Sequence, residues 1–178
     1  MHQTKEFGYS ENDDLQVLEL PYADNDLSMM VLLPRNADGL AALEAKLTAQ
    51  NLIAWTGKLP RPKVEVFLPK FKMASQFSLN DRLAALGMVD AFGDKADFSG
   101  MNGKRDLYIS AVIHKAFVDV NEEGTEAAAA TAVAMTAMAM RVEQPPPVFR
   151  ADHPFLFLIR ENQTGSILFL GRIADPTK

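Results

Sequence analysis

Two apolar runs near the start of the chain predict a β-hairpin. The runs LQVLEL (residues 15–20) and LSMMVLL (residues 27–33) flank a polar turn at residues 23–26, and Pro34 closes the second run. Turn-forming residues between two apolar runs are typical of a hairpin. The second run is apolar on both faces of a strand, which predicts a central strand that is covered on both sides.

Leucines at helical spacing predict three short helical segments after the hairpin. The leucines of residues 40–47 follow Asp38, a residue type that caps helix N-termini, and residues 51–55 continue as a further helical turn. Residues 78–86 carry leucines on one side and end at Gly87, a typical helix stop.

Three further segments predict strands. Residues 63–73 alternate as one strand or a strand pair, with Pro69 marking an edge or a bend. Residues 107–120 are strand-like, and residues 155–159 and 166–173 predict a terminal hairpin. The whole pattern indicates a mixed α and β chain dominated by antiparallel pairs.

One segment, residues 121–149, does not fit this pattern. No charged residue lies between Glu126 and Arg141, and the stretch is rich in alanine, which favours a helix. Three β-branched residues interrupt the stretch and no charge solvates a helix face, which argues against an exposed helix. Since all its side chains are small or apolar, the stretch could be a loop in one state and a strand in another.

Composition restricts the classes of function. The chain has 178 residues, a formal charge of -5, no cysteine and three histidines. One domain is expected, and the acidic charge with scattered Lys and Arg argues against nucleic-acid binding. The absence of cysteine excludes disulfides, thiolate nucleophiles and cysteine-bound metals. No enzyme motif, metal site or cofactor site is predicted, and neither a membrane span nor a signal segment is expected.

The stretch EEGTEAAAATA, residues 122–132, resembles the hinge of a serpin reactive-centre loop. Other serpin-like motifs follow the family's order: FLPKFKM at 67–73, ADFSGM at 96–101, LYISAVIHKAFVDV at 107–120 and ADHPFLFLIRENQTGSILFLGRIADP at 151–176. The resemblance covers essentially the whole chain but only the C-terminal half of a serpin. It implies an α+β serpin fold with mainly antiparallel sheets, short helices and a mobile reactive-centre loop at about 122–149. Residues 1–178 would form the C-terminal portion of a single serpin domain.

This resemblance implies inhibition of a serine protease by a suicide-substrate mechanism. A protease cleaves the loop and forms an acyl-enzyme, and the freed loop then inserts into the central sheet and traps the protease as a covalent complex. The inserted part must be small and uncharged, and a glycine gives the pivot its freedom. The residues that match the hinge are Glu122, Glu123, Gly124, Thr125, Glu126, Ala127, Ala128, Ala129, Ala130 and Thr131.

Two bonds compete as the site of cleavage. The usual loop length of the family selects the Met138–Ala139 bond, which suits an elastase-like or chymotrypsin-like protease with an apolar pocket. The alternative is the Arg141–Val142 bond, because Arg141 is the basic residue of the loop and the loop is slightly longer than usual. That bond would suit a trypsin-like protease.

Two further residues match serpin positions that control opening of the sheet. His114 matches a histidine beneath the opening sheet, although it could equally be an ordinary histidine at the edge of a core. Lys70 and Glu122 resemble an ion pair near the hinge, although two solvated charges would be worth only about 0–1 kcal/mol.

Other functions stay open at this point. A non-inhibitory serpin could act as a carrier, chaperone or storage protein, although such members usually have bulky or charged hinge residues. The chain could also be an inert fragment whose exposed sheet edges favour self-association. On family grounds an extracellular location is favoured and a cytoplasmic one is possible, with no nucleic-acid or membrane partner.

Overall fold

The computed structural model describes residues 1–121 and 145–176. The described strands are β1 (His2–Glu6), β2 (Gly8–Glu11), β3 (Leu15–Pro21), β4 (Leu27–Pro34), β5 (Lys63–Phe67), β6 (Phe71–Ser78), β7 (Ile113–Val120), β8 (Val148–Arg150), β9 (Phe155–Glu161) and β10 (Ile167–Ile173). The described helices are α1 (Leu40–Ala45), α2 (Ala49–Thr56), α3 (Asn80–Ala85), α4 (Ser99–Asn102) and a 3₁₀ turn at Asp90–Phe92. Residues 72–119 form one compact unit, and the remaining described residues form another.

A five-stranded antiparallel sheet is the main element of the larger unit. Its strand order is β10-β9-β4-β3-β2, so β4 is the central strand, as its apolar sequence predicts. The predicted hairpin of β3 and β4 is confirmed, and so is the terminal hairpin of β9 and β10. The sheet brings the start and the end of the chain into one hydrogen-bonded layer.

One face of this sheet is covered by α1 and α2. Because strand side chains alternate, every second residue of β3, β4 and β9 points to this face. The buried cluster consists of Leu15, Val17, Met30, Leu32, Leu43, Leu156 and Leu158. Trp55 of α2 packs against this cluster. Burial of these aliphatic side chains is the main stabilising contribution to this unit.

The caps of these helices differ from one another. Thr48 caps α2 because its side-chain oxygen accepts the Asn51 N–H at 3.1 Å. The expected cap of α1 by Asp38 is wrong, since Gly39 is the N-cap residue and no side chain caps the helix. The Gly39 N–H instead donates to the Asn36 carbonyl at 2.9 Å, so a tight backbone turn takes the position of the cap.

A smaller sheet has the order β1-β5-β8. β1 runs antiparallel to β5, whereas β8 runs parallel to it. Val64, Val66 and Phe149 point to the same buried side of this sheet and are at most 2% exposed. β8 is an edge strand of three residues that directly follows the proline triplet at 145–147.

The unit of residues 72–119 contains α3, α4 and the pairing of β6 with β7. The predicted strand at 107–120 is only partly confirmed, because β7 begins at Ile113. Residues 109–112 bond elsewhere: the Ile109 N–H donates to the Ala91 carbonyl, and the Val112 N–H donates to the Asn80 side chain at 2.8 Å. These bonds replace the strand pairing that the apolar pattern predicts.

Candidate functional site

β8 is the described strand that follows the candidate reactive-centre loop, and its backbone is bonded to β5 at both ends. The Glu65 N–H donates to the Pro147 carbonyl, and the Ala151 N–H donates to the Phe67 carbonyl, each at 2.9 Å. Phe149 at the centre of β8 is fully buried. The C-terminal end of the loop therefore starts from a fixed point on the smaller sheet.

Two aromatic rings and one guanidinium group lie side by side on the other face of this sheet, from His2, Phe67 and Arg150. Phe67 lies opposite His2 on one side and Arg150 on the other. The His2 and Phe67 rings are stacked with centroids 4.3 Å apart, and the Arg150 guanidinium lies 3.7 Å from the Phe67 centroid. Stacking and cation–π contacts of this kind stabilise the positions of β1 and β8 beside β5.

A hydrogen-bonded network joins β8 to the five-stranded sheet. Gln16 of β3 is 8% exposed, and its amide nitrogen donates to the Val148 carbonyl at 3.0 Å and to the Tyr9 hydroxyl at 2.7 Å. The Tyr9 hydroxyl donates in turn to the Glu11 carboxylate at 2.5 Å, and Arg35 donates to the same carboxylate at 2.7 Å. The network runs from an exposed ion pair to the backbone of the strand after the loop.

The same network shifts two pKa values. Burial of the Tyr9 side chain, helped by the hydrogen bond to Glu11, raises the pKa of Tyr9 to about 12. The hydrogen bond from Tyr9 lowers the pKa of Glu11 below its ordinary value, and the Arg35 charge adds to this effect. Tyr9 is therefore a neutral donor and Glu11 an ionised acceptor at neutral pH.

The chain between β8 and β9 is bonded to the end of β4. The His153 ring donates from Nε2 to the Pro34 carbonyl oxygen at 2.7 Å. Its Nδ1 lies 2.8 Å from the Asp152 carboxylate. This histidine belongs to the HPFLF part of the serpin-like motif, and the contact fixes the direction in which the chain enters β9.

The two predicted gating residues within the described part of the chain lie in different units. His114 on β7 is exposed, with its ring centroid 5.3 Å from that of Phe77 on β6. Lys70 is exposed between β5 and β6. Its predicted partner Glu122 lies outside the described residues, so the ion pair stays a prediction.

All predicted hinge residues and both candidate bonds lie outside the described residues. This applies to residues 122–131, to Met138–Ala139 and to Arg141–Val142. The Gln16 network was not predicted, because Gln16 is 7 residues from Tyr9 and 132 residues from Val148, and no local pattern links these positions. The polar Gln16 within the apolar run LQVLEL is the signal that could have indicated it.

Comparison with known proteins identifies the family. The family model described as "Serpin (serine protease inhibitor)" matches residues 1–176. The chain belongs to the serpin family. The resemblance carried by the hinge-like stretch and its flanking motifs is thereby confirmed.

Individual serpins agree with this result. The chain is 51% identical to human Serpin B8 over 172 residues, which are 95% of this chain and 45% of that protein. It is 50% identical to human "Leukocyte elastase inhibitor" over an alignment of 186 positions, which covers 99% of this chain and 48% of that protein. This serpin chain therefore spans a little less than half the length of the curated relatives it matches.

A solved structure confirms the predicted fold class. The crystal structure of uncleaved ovalbumin matches with a TM-score of 0.83 at 35% identity, over 97% of this chain and 46% of that one. Over residues 1–121 and 145–176, no cluster of three or more metal-ligating side chains is present. None of the helices in the part of the chain described here is long and apolar enough to cross a membrane.

Proposed function

We propose that this chain is the C-terminal portion of a single serpin domain, and that the protein inhibits a serine protease by the suicide-substrate mechanism. The observation that carries the proposal is the segment between β7 and β8. This segment has no charged side chain between Glu126 and Arg141. Small uncharged side chains are what a segment needs in order to enter a packed sheet as a new strand.

The proposed reaction breaks one peptide bond of this segment. The serine oxygen of the protease attacks the Met138 carbonyl carbon, the bond to the Ala139 nitrogen breaks, and that nitrogen leaves with a proton. The acyl ester then persists while residues 125–135 insert as a strand. Strand hydrogen bonds and burial gained only after cleavage supply the free energy.

The target is proposed to be an elastase-like or chymotrypsin-like protease. Met138 offers an unbranched apolar side chain to a protease pocket. The name of the relative "Leukocyte elastase inhibitor" supports an elastase-like target for this chain as well. Cleavage after Arg141 by a trypsin-like protease is the alternative. An extracellular location, which was expected on family grounds, is not supported by the relatives that this chain matches.

The test uses two proteins. One is the chain itself, and the other is a chimera in which this chain replaces the matching C-terminal part of human leukocyte elastase inhibitor. Each is incubated with elastase, chymotrypsin and trypsin, followed by denaturing gels and the mass of the released peptide. We expect the chimera to form a covalent complex with elastase and to release a peptide that begins at Ala139.

Other results would change the proposal in defined ways. A peptide that begins at Val142 moves the bond to Arg141 and the target to a trypsin-like protease. Cleavage of the chimera without a complex overturns inhibition and indicates a non-inhibitory serpin. A further outcome is that the isolated chain is cleaved without forming a complex while the chimera forms one. That pair of results indicates that the chain alone lacks the sheet that the loop must enter.

A further inference from the structure

The short strand after the loop has few backbone contacts of its own. β8 has three residues and lies at an edge of its sheet, paired only with β5 in the described structure. Short edge strands with few hydrogen bonds open at low free-energy cost. Val148 is the tenth residue after Met138, so any detachment of β8 would lengthen the tether of the candidate bond.

Gln16 provides a bond to β8 from a second sheet. Its amide nitrogen has two N–H groups: one donates to the Val148 carbonyl at 3.0 Å and the other to the Tyr9 hydroxyl at 2.7 Å. The same nitrogen also lies 3.4 Å from the Glu11 carboxylate, a longer and weaker contact. If β8 detached, the first of these N–H groups would lose its partner. Leaving a buried donor without a partner is costly, so the amide favours the attached strand.

The surrounding residues hold this amide in its orientation. Tyr9 accepts from Gln16 and donates to Glu11, and Glu11 also accepts from Arg35. Because the Tyr9 proton is directed to the Glu11 carboxylate, the Tyr9 oxygen is left to accept from the amide. Gln16 therefore donates on one side to the backbone of β8 and on the other side to Tyr9. The donations on the Tyr9 side end at the Glu11 carboxylate, which also accepts from Arg35.

We propose that Gln16 is a positioning residue for the reactive-centre loop: through the Val148 carbonyl it holds β8 on the five-stranded sheet and fixes the C-terminal end of the loop. This inference rests on the proposed function for its role in inhibition. Its physical part, the attachment of β8, can be measured without any protease complex. The C-terminal end of the loop is then held in a fixed position before a protease cleaves the loop.

The experiment compares three variants of the full chain with the wild type. Gln16→Met keeps the length of the side chain but removes the donor. Gln16→Arg restores N–H donors beside the Glu11 carboxylate, and Gln163→Met is a control at an exposed glutamine. Amide hydrogen exchange is measured at Glu65 and Ala151, whose N–H groups form the hydrogen bonds that join β5 to the chain at the two ends of β8.

The expected result is local. In Gln16→Met, exchange at the Glu65 and Ala151 amides accelerates about tenfold, which is the size expected for one buried hydrogen bond. Chymotrypsin cleavage after Phe149, which is buried, accelerates in proportion. Exchange in β4 stays at the wild-type rate. Gln16→Arg returns both rates towards wild type, and Gln163→Met leaves them unchanged.

Two outcomes would overturn the proposal. Unchanged exchange at the Glu65 and Ala151 amides in Gln16→Met would show that Gln16 does not hold β8. Equal acceleration in β4 would show only a general loss of stability. If Gln16→Met fails to fold, the test rests on Gln16→Arg. A Gln16→Arg chain that folds but exchanges quickly at the Glu65 and Ala151 amides would show that an N–H donor at position 16 does not hold β8.

A second measurement tests the role in inhibition. In the chimera with leukocyte elastase inhibitor, Gln16→Met should lower the association rate with elastase severalfold, and Gln16→Arg should restore it. An unchanged rate would overturn the positioning role. If the wild-type chimera forms no complex at all, the proposed function fails, while the exchange data on the isolated chain still decide whether Gln16 holds β8.

Discussion

Gly171 on β10 lies directly opposite Phe157 on β9, and the Phe157 ring occupies the space that a side chain at position 171 would need. A Cβ atom built on Gly171 would lie 2.6 Å from two ring carbons of Phe157. The ring is 1% exposed and also packs against Phe71, with centroids 5.5 Å apart. The glycine therefore allows an aromatic ring to lie directly against the strand at the edge of the sheet.

Gly171→Ala is expected to lower the free energy of unfolding by about 1–3 kcal/mol, because the Phe157 ring is too enclosed to move away. Urea unfolding followed by fluorescence of Trp55, the one tryptophan of the chain, measures this change. Gly93→Ala is the control, since no atom lies within 4 Å of a Cβ there. Equal effects of the two substitutions would contradict the packing argument.

The ion pair of Glu19 with Arg160 should contribute more than the ion pairs at the surface. Its atoms are 2.9 Å apart, with side chains only 17% and 20% exposed. Arg160 also donates to the Thr56 carbonyl, so the pair links the sheet to the end of α2. Glu19→Gln is expected to destabilise the chain by about 1.5–3 kcal/mol, because it removes the negative charge that faces a mostly buried guanidinium and leaves only a neutral acceptor.

The matched control for this prediction is Glu44→Gln. Glu44 pairs with Arg172 at 3.3 Å, and the two side chains are 36% and 61% exposed. A pair in this environment is worth about 0–1 kcal/mol. Chemical denaturation of both variants checks the difference, and a loss from Glu44→Gln as large as that from Glu19→Gln would refute it.

The Tyr9–Glu11 hydrogen bond predicts a loss of stability in acid. The pKa of Glu11 is lower in the folded chain than its ordinary value of 4.5, chiefly because Tyr9 donates to the carboxylate. The stability from this group is therefore present above pH 4.5 and is lost as the pH falls through the folded pKa. Tyr9→Phe should reduce this acid dependence, as measured by urea unfolding between pH 3 and pH 7.

The burial of Tyr9, together with its hydrogen bond to Glu11, predicts a loss of stability in alkali. The pKa of Tyr9 is raised from 10.0 to about 12, mainly by burial. Its contribution is therefore complete below pH 10 and is lost as the pH rises towards 12. Tyr9→Phe should flatten this part of the profile, and Glu11→Gln should flatten the acid part. Identical pH profiles for the wild type and Tyr9→Phe would show that the bond has no such effect.

The edge strand β10 predicts self-association of the isolated chain. The side chains of Ile167, Leu168, Phe169 and Leu170 are 40–53% exposed on a strand that ends the five-stranded sheet. An exposed apolar edge is a template for pairing with another chain. Sedimentation at increasing concentration should show oligomers that Leu170→Glu reduces. Oligomers of unchanged size in Leu170→Glu would place the association elsewhere.

The fold could be predicted from the sequence where side-chain pattern and turn residues agree. The β3–β4 and β9–β10 hairpins each have continuous apolar runs around polar turns. The strands that were not predicted are polar or short: β1 has the sequence HQTKE, and β8 has three residues after a proline triplet. Their conformation depends on pairing with β5, which is distant in sequence and invisible to a local pattern.

The site could be predicted only as far as the family motifs extend. The hinge-like stretch identified the family, but the hydrogen bond that reaches β8 from β3 comes from Gln16, whose partner Val148 is 132 residues away. The strand predicted at 107–120 is too long because the Asn80 side chain and the Ala91 carbonyl bond to residues 109–112. Such long-range side-chain bonds override local preference, and sequence pattern does not contain them.

The central claim is that residues 125–135 insert after cleavage, and Thr125→Arg tests it most directly. In the chimera with leukocyte elastase inhibitor, the number of inhibitor molecules consumed per elastase trapped is measured for the wild type, Thr125→Arg and Gln144→Arg. The last variant is the control, because it places the same charge beyond both candidate bonds. We predict that Thr125→Arg raises this ratio severalfold, since a buried charge slows insertion, while Gln144→Arg leaves it near wild type. An equal ratio in Thr125→Arg and the wild type would contradict insertion of this segment.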